Sequence, residues 1–383
     1  MIREINADPH LEVRITKRIE EMPRQDWEQV FPKVLENYDF FRTLDESDFP
    51  QFSFFYILAY DQGRPVGATS CFLMDYPMDL AVEGGFKKVF DLIKKFAPRL
   101  FSPRVVICGI PMGQGRIGIA GEAGFVLKAI CKAMEKIACE HKAGIIAFKD
   151  FNSTYIDKFK DLLGNGFFQI QSLPSTDMRL NYADFQQYMD SLSSASKSGL
   201  KRKFKKVDGK VKIELEIVDK LDDAALAEVY PLYLQTYDRQ DIGMEKLGPD
   251  FFKNIARNMP RQIKYFLWRM DAKIVAFALC LVSCDHFIDY YLGFDYALAH
   301  ELGLYFVRFR DMMKWCLQHK IKVYEMGQTS YEVKRRLGFD FIRLYIYARH
   351  RNRLVNLLLK YFSCIVKPEN FHPVFKEMDN VRA

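Results

Sequence analysis

Two stretches of the chain gather residue types that suit an anion. The first is Gly109-Ile110-Pro111-Met112-Gly113-Gln114-Gly115-Arg116-Ile117-Gly118-Ile119-Ala120-Gly121. It follows an apolar strand, Arg104 to Cys108, and leads into a helix predicted from about Glu122 to His141. Glycines permit positive φ and close backbone approach, and a helix N-terminus favours negative charge, so a pyrophosphate would be received around Gly113, Gln114, Gly115, Arg116 and Gly118. A plain glycine-rich crossing from strand to helix is the other reading. The second stretch is Lys197 to Val207, whose apolar line Leu200, Phe204 and Val207 is spaced four then three. The rest of that helix is cationic and includes Arg202; it holds an anion by charge-assisted contacts or is a solvated face.

A third stretch, Phe287 to Phe341, places groups at strand ends. It reads as a strand (Phe287 to Leu292), a turn at Gly293, and a helix from roughly Leu302 to His319. A second strand, Lys322 to Met326, ends at Gly327, and Lys334 leads into Gly338-Phe339 and a last strand. A strand–helix–strand crossover of this size implies parallel pairing. Tyr291, Gly293, Glu325 and Gly327 then stand at the carboxyl ends of the strands, at the mouth of any cleft.

The order Tyr291-Leu292-Gly293-Phe294-Asp295, helix, Glu325-Met326-Gly327, Lys334, Gly338-Phe339 resembles the C-terminal part of GNAT-fold acyltransferases, in particular the FemAB-like branch. That branch more often carries aspartate where this chain has Glu325. Tyr188 to Lys203 and Leu232 to Arg239 are similar to its inter-unit segment. Gln114, Arg116 and Gly118 approximate the GNAT phosphate signature out of register, since the glycine expected from Arg116 falls on Ile119.

The resemblance implies acyl transfer to an amine. Such a reaction needs a base for the amine, donors for the oxyanion and a proton for the leaving group. It implies Glu325 as base or amine anchor and Tyr291 as proton donor or positioner. Lys334 and Arg239 would meet an acceptor carboxylate or donor phosphate, with Gly293, Gly327 and Arg202 also lining the substrate site. Each has a plainer reading: Glu325 pairs with Lys322 or Lys334, and Tyr291 is an ordinary strand aromatic. The donor implied is acyl-CoA, with aminoacyl-tRNA as the alternative, because the long helical arm of Fem-type enzymes is missing. The acceptor is a small-molecule amine, nucleic acid enters only as a tRNA donor, and no metal is expected. Two other functions remain open: a non-catalytic protein of the same fold that recognises a peptidoglycan precursor or anionic polymer, and a nucleic-acid binder.

Composition sets the outer bounds. The chain has 383 residues, 49% of them hydrophobic and 15% aromatic, with a formal net charge of +7. That is a globular profile long enough for two domains with ring-filled cores. No signal-peptide pattern opens the sequence and no apolar run reaches the ~20 residues of a membrane span. The eight cysteines are scattered without a C-x-x-C pair and read as reduced residues of a cytoplasmic protein. Cys280 and Cys284 lie too far apart along a strand to share an ion with His286.

The element order hairpin, strand, loop, helix, strand, helix, Gly-Phe, strand occurs twice, with Gly166-Phe167 answering Gly338-Phe339. The expected fold is therefore α/β with mixed sheets, as tandem duplicated GNAT-like units. The expected boundaries are 1–182 for the first unit, 183–260 for an inter-unit helical segment packed on the second, and 261–383 for the second unit with its C-terminal helix. A helix is predicted over Ala81 to Leu100. Another over Leu354 to Val366 is expected to dock on the body; a membrane-surface helix is the alternative, and membrane contact is not expected.

Overall fold

A computed structural model describes residues 3–8, 11–76, 102–208, 211–239, 244–365 and 374. The helix predicted over Ala81 to Leu100 lies outside them. The chain forms two compact units, one of residues 1–45, 49–174 and 343–383, the other of residues 46–48 and 175–342. Residues 183–260 fall in the second unit, and that unit stops at Ile342 because the last strand and helix of the chain cluster with the first.

In the first unit, strands β1 (Arg3–Asp8), β2 (Leu11–Thr16), β3 (Ser53–Asp61), β4 (Arg64–Asp75), β5 (Arg104–Cys108) and β7 (Ile145–Asn152) lie side by side in that order, with a short β6 (Gly118–Ile119) on β4. The β3–β4 hairpin follows from its turn chemistry: Gln62 and Gly63 both take positive φ, at 48° and 76°. β5 and β7 are parallel, from Val105 opposite Ile145 to Cys108 opposite Phe148. Helix α3 (Ala123–Glu140) makes that crossover and buries Val126, Ile130, Ala133 and Ile137 on the sheet. Beyond β7 the neighbour is β14 (Asp340–His350), antiparallel, with Leu344 opposite Asn152 and His350 opposite Ile145. Helices α1 (Arg24–Val30), α2 (Tyr38–Glu46), α4 (Lys160–Gly164) and α12 (Arg353–Ile365) complete the described helices.

In the second unit the sheet begins with the end of β8 (Phe168–Arg179) and continues through β13 (Val323–Glu325), β12 (His286–Phe294), β11 (Lys273–Val282), β10 (Ile263–Met270) and β9 (Glu214–Val218). Helices α5 (Phe185–Ser191), α6 (Ser194–Val207), α7 (Asp223–Tyr237), α8 (Pro249–Asn258), α9 (Tyr296–Leu302), α10 (Leu304–Gln318) and α11 (Tyr331–Arg336) surround it. The stretch read as one helix from Leu302 is broken in two, because Gly303 takes a left-handed φ of 57°. Leu200, Phe204 and Val207 of α6 are buried as their spacing requires, and Ser193 accepts a bond from the Ser196 N–H at 3.2 Å as N-cap.

One expectation fails. Helix α12 does not dock through its apolar side: Leu354, Leu357, Leu358, Tyr361 and Phe362 are exposed. Its inward contact is polar, the Asn356 amide donating to the Gly166 carbonyl at 2.8 Å.

Candidate active site

The site is built where β12 and β13 part. Their parallel ladder holds only for His286 opposite Val323, Phe287 opposite Tyr324 and Ile288 opposite Glu325. β13 stops at Glu325, while β12 runs on to Phe294. On its other edge β12 carries a bulge: Asp289 lies opposite Cys280 and Tyr291 opposite Leu279, so Tyr290 is the extra residue. This shifts parity. Ile288 lies opposite Leu281 and Tyr291 opposite Leu279, two β11 residues of one face, so Tyr291 shares a sheet face with Glu325. In an unbulged strand, positions 288 and 291 would face opposite ways.

Glu325 is buried. Ser175 Oγ donates to its Oε1 at 3.2 Å, and His286 Nε2 lies 3.2 Å from its Oε2. Asp177 stands opposite Glu325 on β8, and burial, followed by repulsion from Glu325 and Asp340, raises its pKa. The strand-end carboxylate therefore sits among a hydroxyl, an imidazole and a second carboxyl, an arrangement suited to holding or moving a proton. The Tyr291 hydroxyl donates to Glu245 Oε1 at 3.2 Å, and its ring meets Tyr233 and Phe251 edge-on. Burial first, then the nearby Glu245, pushes the phenol well above its ordinary value, so it keeps its proton.

Lys334 is a clamp. Its buried ammonium donates to the carbonyls of Met326, Gly327 and Gln328 at 2.7, 3.1 and 3.0 Å. Thr176 Oγ1 donates to the Gly327 carbonyl as well, at 2.7 Å. The loop it fastens is strained: Gly327, Thr329 and Ser330 have φ of 60°, 72° and 52°. Positive φ is an outlier for a β-branched residue such as Thr329, and such strain persists only where the surroundings over-determine it. Burial lowers the Lys334 pKa to about 7.

The remaining expected residues are spread out. Gly293 is a crossing glycine, since a Cβ there would fall 2.6 Å from the Leu232 carbonyl carbon and 2.4 Å from the Phe277 ring. Arg239 is exposed, stacked 4.3 Å from the Tyr296 ring centroid at the start of α9. The Asp295 carboxylate already caps that helix start, accepting from the Ala297 N–H at 3.1 Å. Arg202 is exposed on α6, where burial and then Arg336, Arg202 and Lys206 lower the pKa of Lys203.

In the first unit the corresponding place is filled by the glycine loop. Gln114, Gly115 and Gly118 are buried, Arg116 is half-buried, and Gly113 is exposed. The Gly115 N–H donates to the Asp150 carbonyl at 2.9 Å, and a Cβ on Gly115 would fall 2.2 Å from the Lys149 carbonyl oxygen. The loop lies flat on the backbone of β7, and its N–H groups at Gly109, Gly115 and Ala120 go to Ser70, Asp150 and Val66.

Sequence reasoning passed over Ser175 and Asp177 beside Glu325 and Glu245 beside Tyr291, and weighed His286 only against an ion; long-range contacts bring each to its partner. It also passed over Arg308 and Asp289, where a signal existed: Arg308 falls on the apolar line of Tyr305, Phe309 and Met312. The two form a fully buried pair at 2.5 Å, with Asp289 Oδ1 and Arg308 Nε and Nη2 lacking a hydrogen-bond partner among the described residues.

Residues 194–335, which include Tyr291, Glu325 and Lys334, match the acetyltransferase (GNAT) domain family. A curated relative, the putative 8-amino-7-oxononanoate synthase 2 of Mycobacterium tuberculosis, is 21% identical over 329 residues, covering 82% of this chain and 42% of its own. The chain therefore spans less than half the length of the curated relative it matches. Among solved structures, FemX is similar at a TM-score of 0.57 and 12% identity, over 88% of this chain and 98% of that one. A tandem GNAT protein from the clavulanic acid biosynthesis pathway is similar at a TM-score of 0.50 and 10% identity, over 89% and 99%. These likenesses run through both units and show the fold: the chain carries the GNAT fold twice.

Proposed function

We propose that the chain is an N-acyltransferase that moves an acyl or aminoacyl group from an anionic thioester or ester donor to the amine of a small acceptor, and that the second unit is the working copy. The observation that carries this is the parting of β12 and β13 immediately after Ile288 and Glu325, with a buried carboxylate at the tip. β12 runs on past the last of these pairs to Phe294, and strand N–H groups at a parting of this kind suit a tetrahedral oxyanion. The glycine loop lying on β7 argues against the first unit as the donor site.

The roles follow from this placement. Glu325, held by Ser175 and His286, takes a proton from the acceptor ammonium. The freed amine nitrogen bonds to the acyl carbon, and the carbon–sulfur or carbon–oxygen bond to the donor breaks. Tyr291, still protonated, supplies the leaving group's proton from the same sheet face, and the second proton, which the nitrogen sheds as the amide forms, restores the phenol. Lys334 positions the loop after Glu325 through its three carbonyl bonds and does not itself touch a phosphate. Arg239 and Arg202, both exposed, meet the donor's phosphates.

The exposed cations of α6, Lys201, Arg202, Lys205 and Lys206, favour a donor with several phosphates. Acyl-CoA is the first donor to test and aminoacyl-tRNA the second. The deciding experiment compares Glu325→Gln with the wild type. Turnover should collapse while donor binding survives; unchanged turnover would remove Glu325 from the chemistry, and no turnover by the wild type with either donor would leave a binding protein of the same fold.

A further inference from the structure

The C-terminal helix α12 is inside out. Asn352 caps it, accepting from the N–H groups of Leu354 and Val355 at 3.0 and 3.2 Å. Asn356 fixes it to the body, donating to the Gly166 carbonyl at 2.8 Å and accepting from the His350 N–H at 2.8 Å. Asn356, Leu359 and Ser363 thus form its inward side. Leu354, Leu357, Leu358 and Tyr361, spaced three, one and three, make a stripe on the far side together with Phe362, and these five side chains are 57–73% exposed. Water is a poor neighbour for a contiguous apolar face of this kind.

The charge around the stripe identifies its occupant. From Arg343 to Lys367 the sequence contains six basic residues, Arg343, Arg349, Arg351, Arg353, Lys360 and Lys367, and no aspartate or glutamate. Arg353 and Lys360 flank the stripe along one rim, are exposed, and have no acidic partner among the described residues. The helix is 13 residues long, which is about 20 Å, too short to cross a bilayer but enough to lie in its interface. No described helix is long and apolar enough to span a membrane. An apolar stripe with an aromatic end and a purely cationic border matches the surface of an anionic lipid layer. We propose that α12 seats the protein on anionic membranes through Leu354, Leu357, Leu358, Tyr361 and Phe362, with Arg353 and Lys360 on the headgroups. This is independent of the transfer reaction proposed above.

The test is co-sedimentation of the full chain with phosphatidylcholine vesicles, with and without phosphatidylglycerol, alongside light scattering for mass. Wild type should sediment with the anionic vesicles and far less with the neutral ones. Leu358→Glu with Tyr361→Glu should cut the bound fraction about tenfold, and Arg353→Glu with Lys360→Glu should do so while leaving the apolar stripe intact. All four positions are exposed, so the thermal melts should match. The proposal is overturned if anionic vesicles do not bind wild type or if both variants bind as well as it does. It is also overturned if wild type is a dimer that the first variant splits with no change at vesicles, which would assign the stripe to a second copy.

Discussion

Replacing Lys334 with methionine keeps most of the buried stem and removes the ammonium that holds the Met326, Gly327 and Gln328 carbonyls. The consequence depends on pH in a definite direction. In the unfolded chain Lys334 titrates near 10.5, and in the folded protein burial brings it to about 7. Below about pH 7 both states carry the proton, and the folded state bears the whole cost of burying the charge. Between about 7 and 10.5 the unfolded chain binds more protons, so stability rises with pH. The slope approaches about 1.4 kcal/mol per pH unit, and the window of about 3.5 units caps the effect near 5 kcal/mol. A neutral amine donates at most two hydrogen bonds, so deprotonation also leaves one of the three carbonyls without its donor. The assay is denaturant unfolding of wild type and K334M from pH 6.5 to 9. The wild type should gain roughly 2 kcal/mol on K334M between pH 7.5 and 9. Groups common to both proteins cancel in the difference. A difference that stays constant with pH would refute the lowered pKa and leave Lys334 a permanently charged clamp.

The remaining predictions concern the ion pair under the bulge and the strand-end carboxylate. Arg308→Met alone, or Asp289→Asn alone, leaves one member of a fully buried pair uncompensated and should cost about 3–5 kcal/mol in denaturant unfolding. Arg308→Met combined with Asp289→Leu should recover much of that loss, and additive losses would show that the two do not act as a pair. Glu325→Gln should lower kcat by about two to four orders of magnitude if the carboxylate is the base, with the donor's Kd within a factor of a few of wild type.

Much of the architecture was legible because its signals are local. Apolar spacing marks α3 and α6 and the faces they bury. The turns at Gln62-Gly63 and Asp271-Ala272 take the positive φ values that their hairpins need. The order of elements shows the repeat. What local period does not carry is pairing between distant segments. Nothing near Leu344 says that its strand lies against β7 in the first unit, so the second unit ends at Ile342 and not at the end of the chain. The bulge at Tyr290 is equally silent, yet it turns Tyr291 to the face of Glu325. Helix α12 is the clearest limit of periodicity: the spacing of Leu354, Leu358 and Tyr361 predicts an amphipathic helix but not that the apolar side faces out, which the pin at Asn356 decides. Among the site residues, Glu325 and Tyr291 came from strand-end positions and Lys334 from the family resemblance, whereas His286, Ser175 and Asp177 are joined to Glu325 only by the register of β12, β13 and β8.

The central claim is that the donor enters the second unit where β12 and β13 part. Hydrogen exchange with mass spectrometry reads this directly, with the protein titrated in turn with acetyl-CoA, a long-chain acyl-CoA and a charged tRNA. A bound donor should protect amides of residues 287–294 and 325–330 and leave residues 109–121 unchanged. Protection confined to residues 109–121, or no protection by any of the three donors, would contradict it.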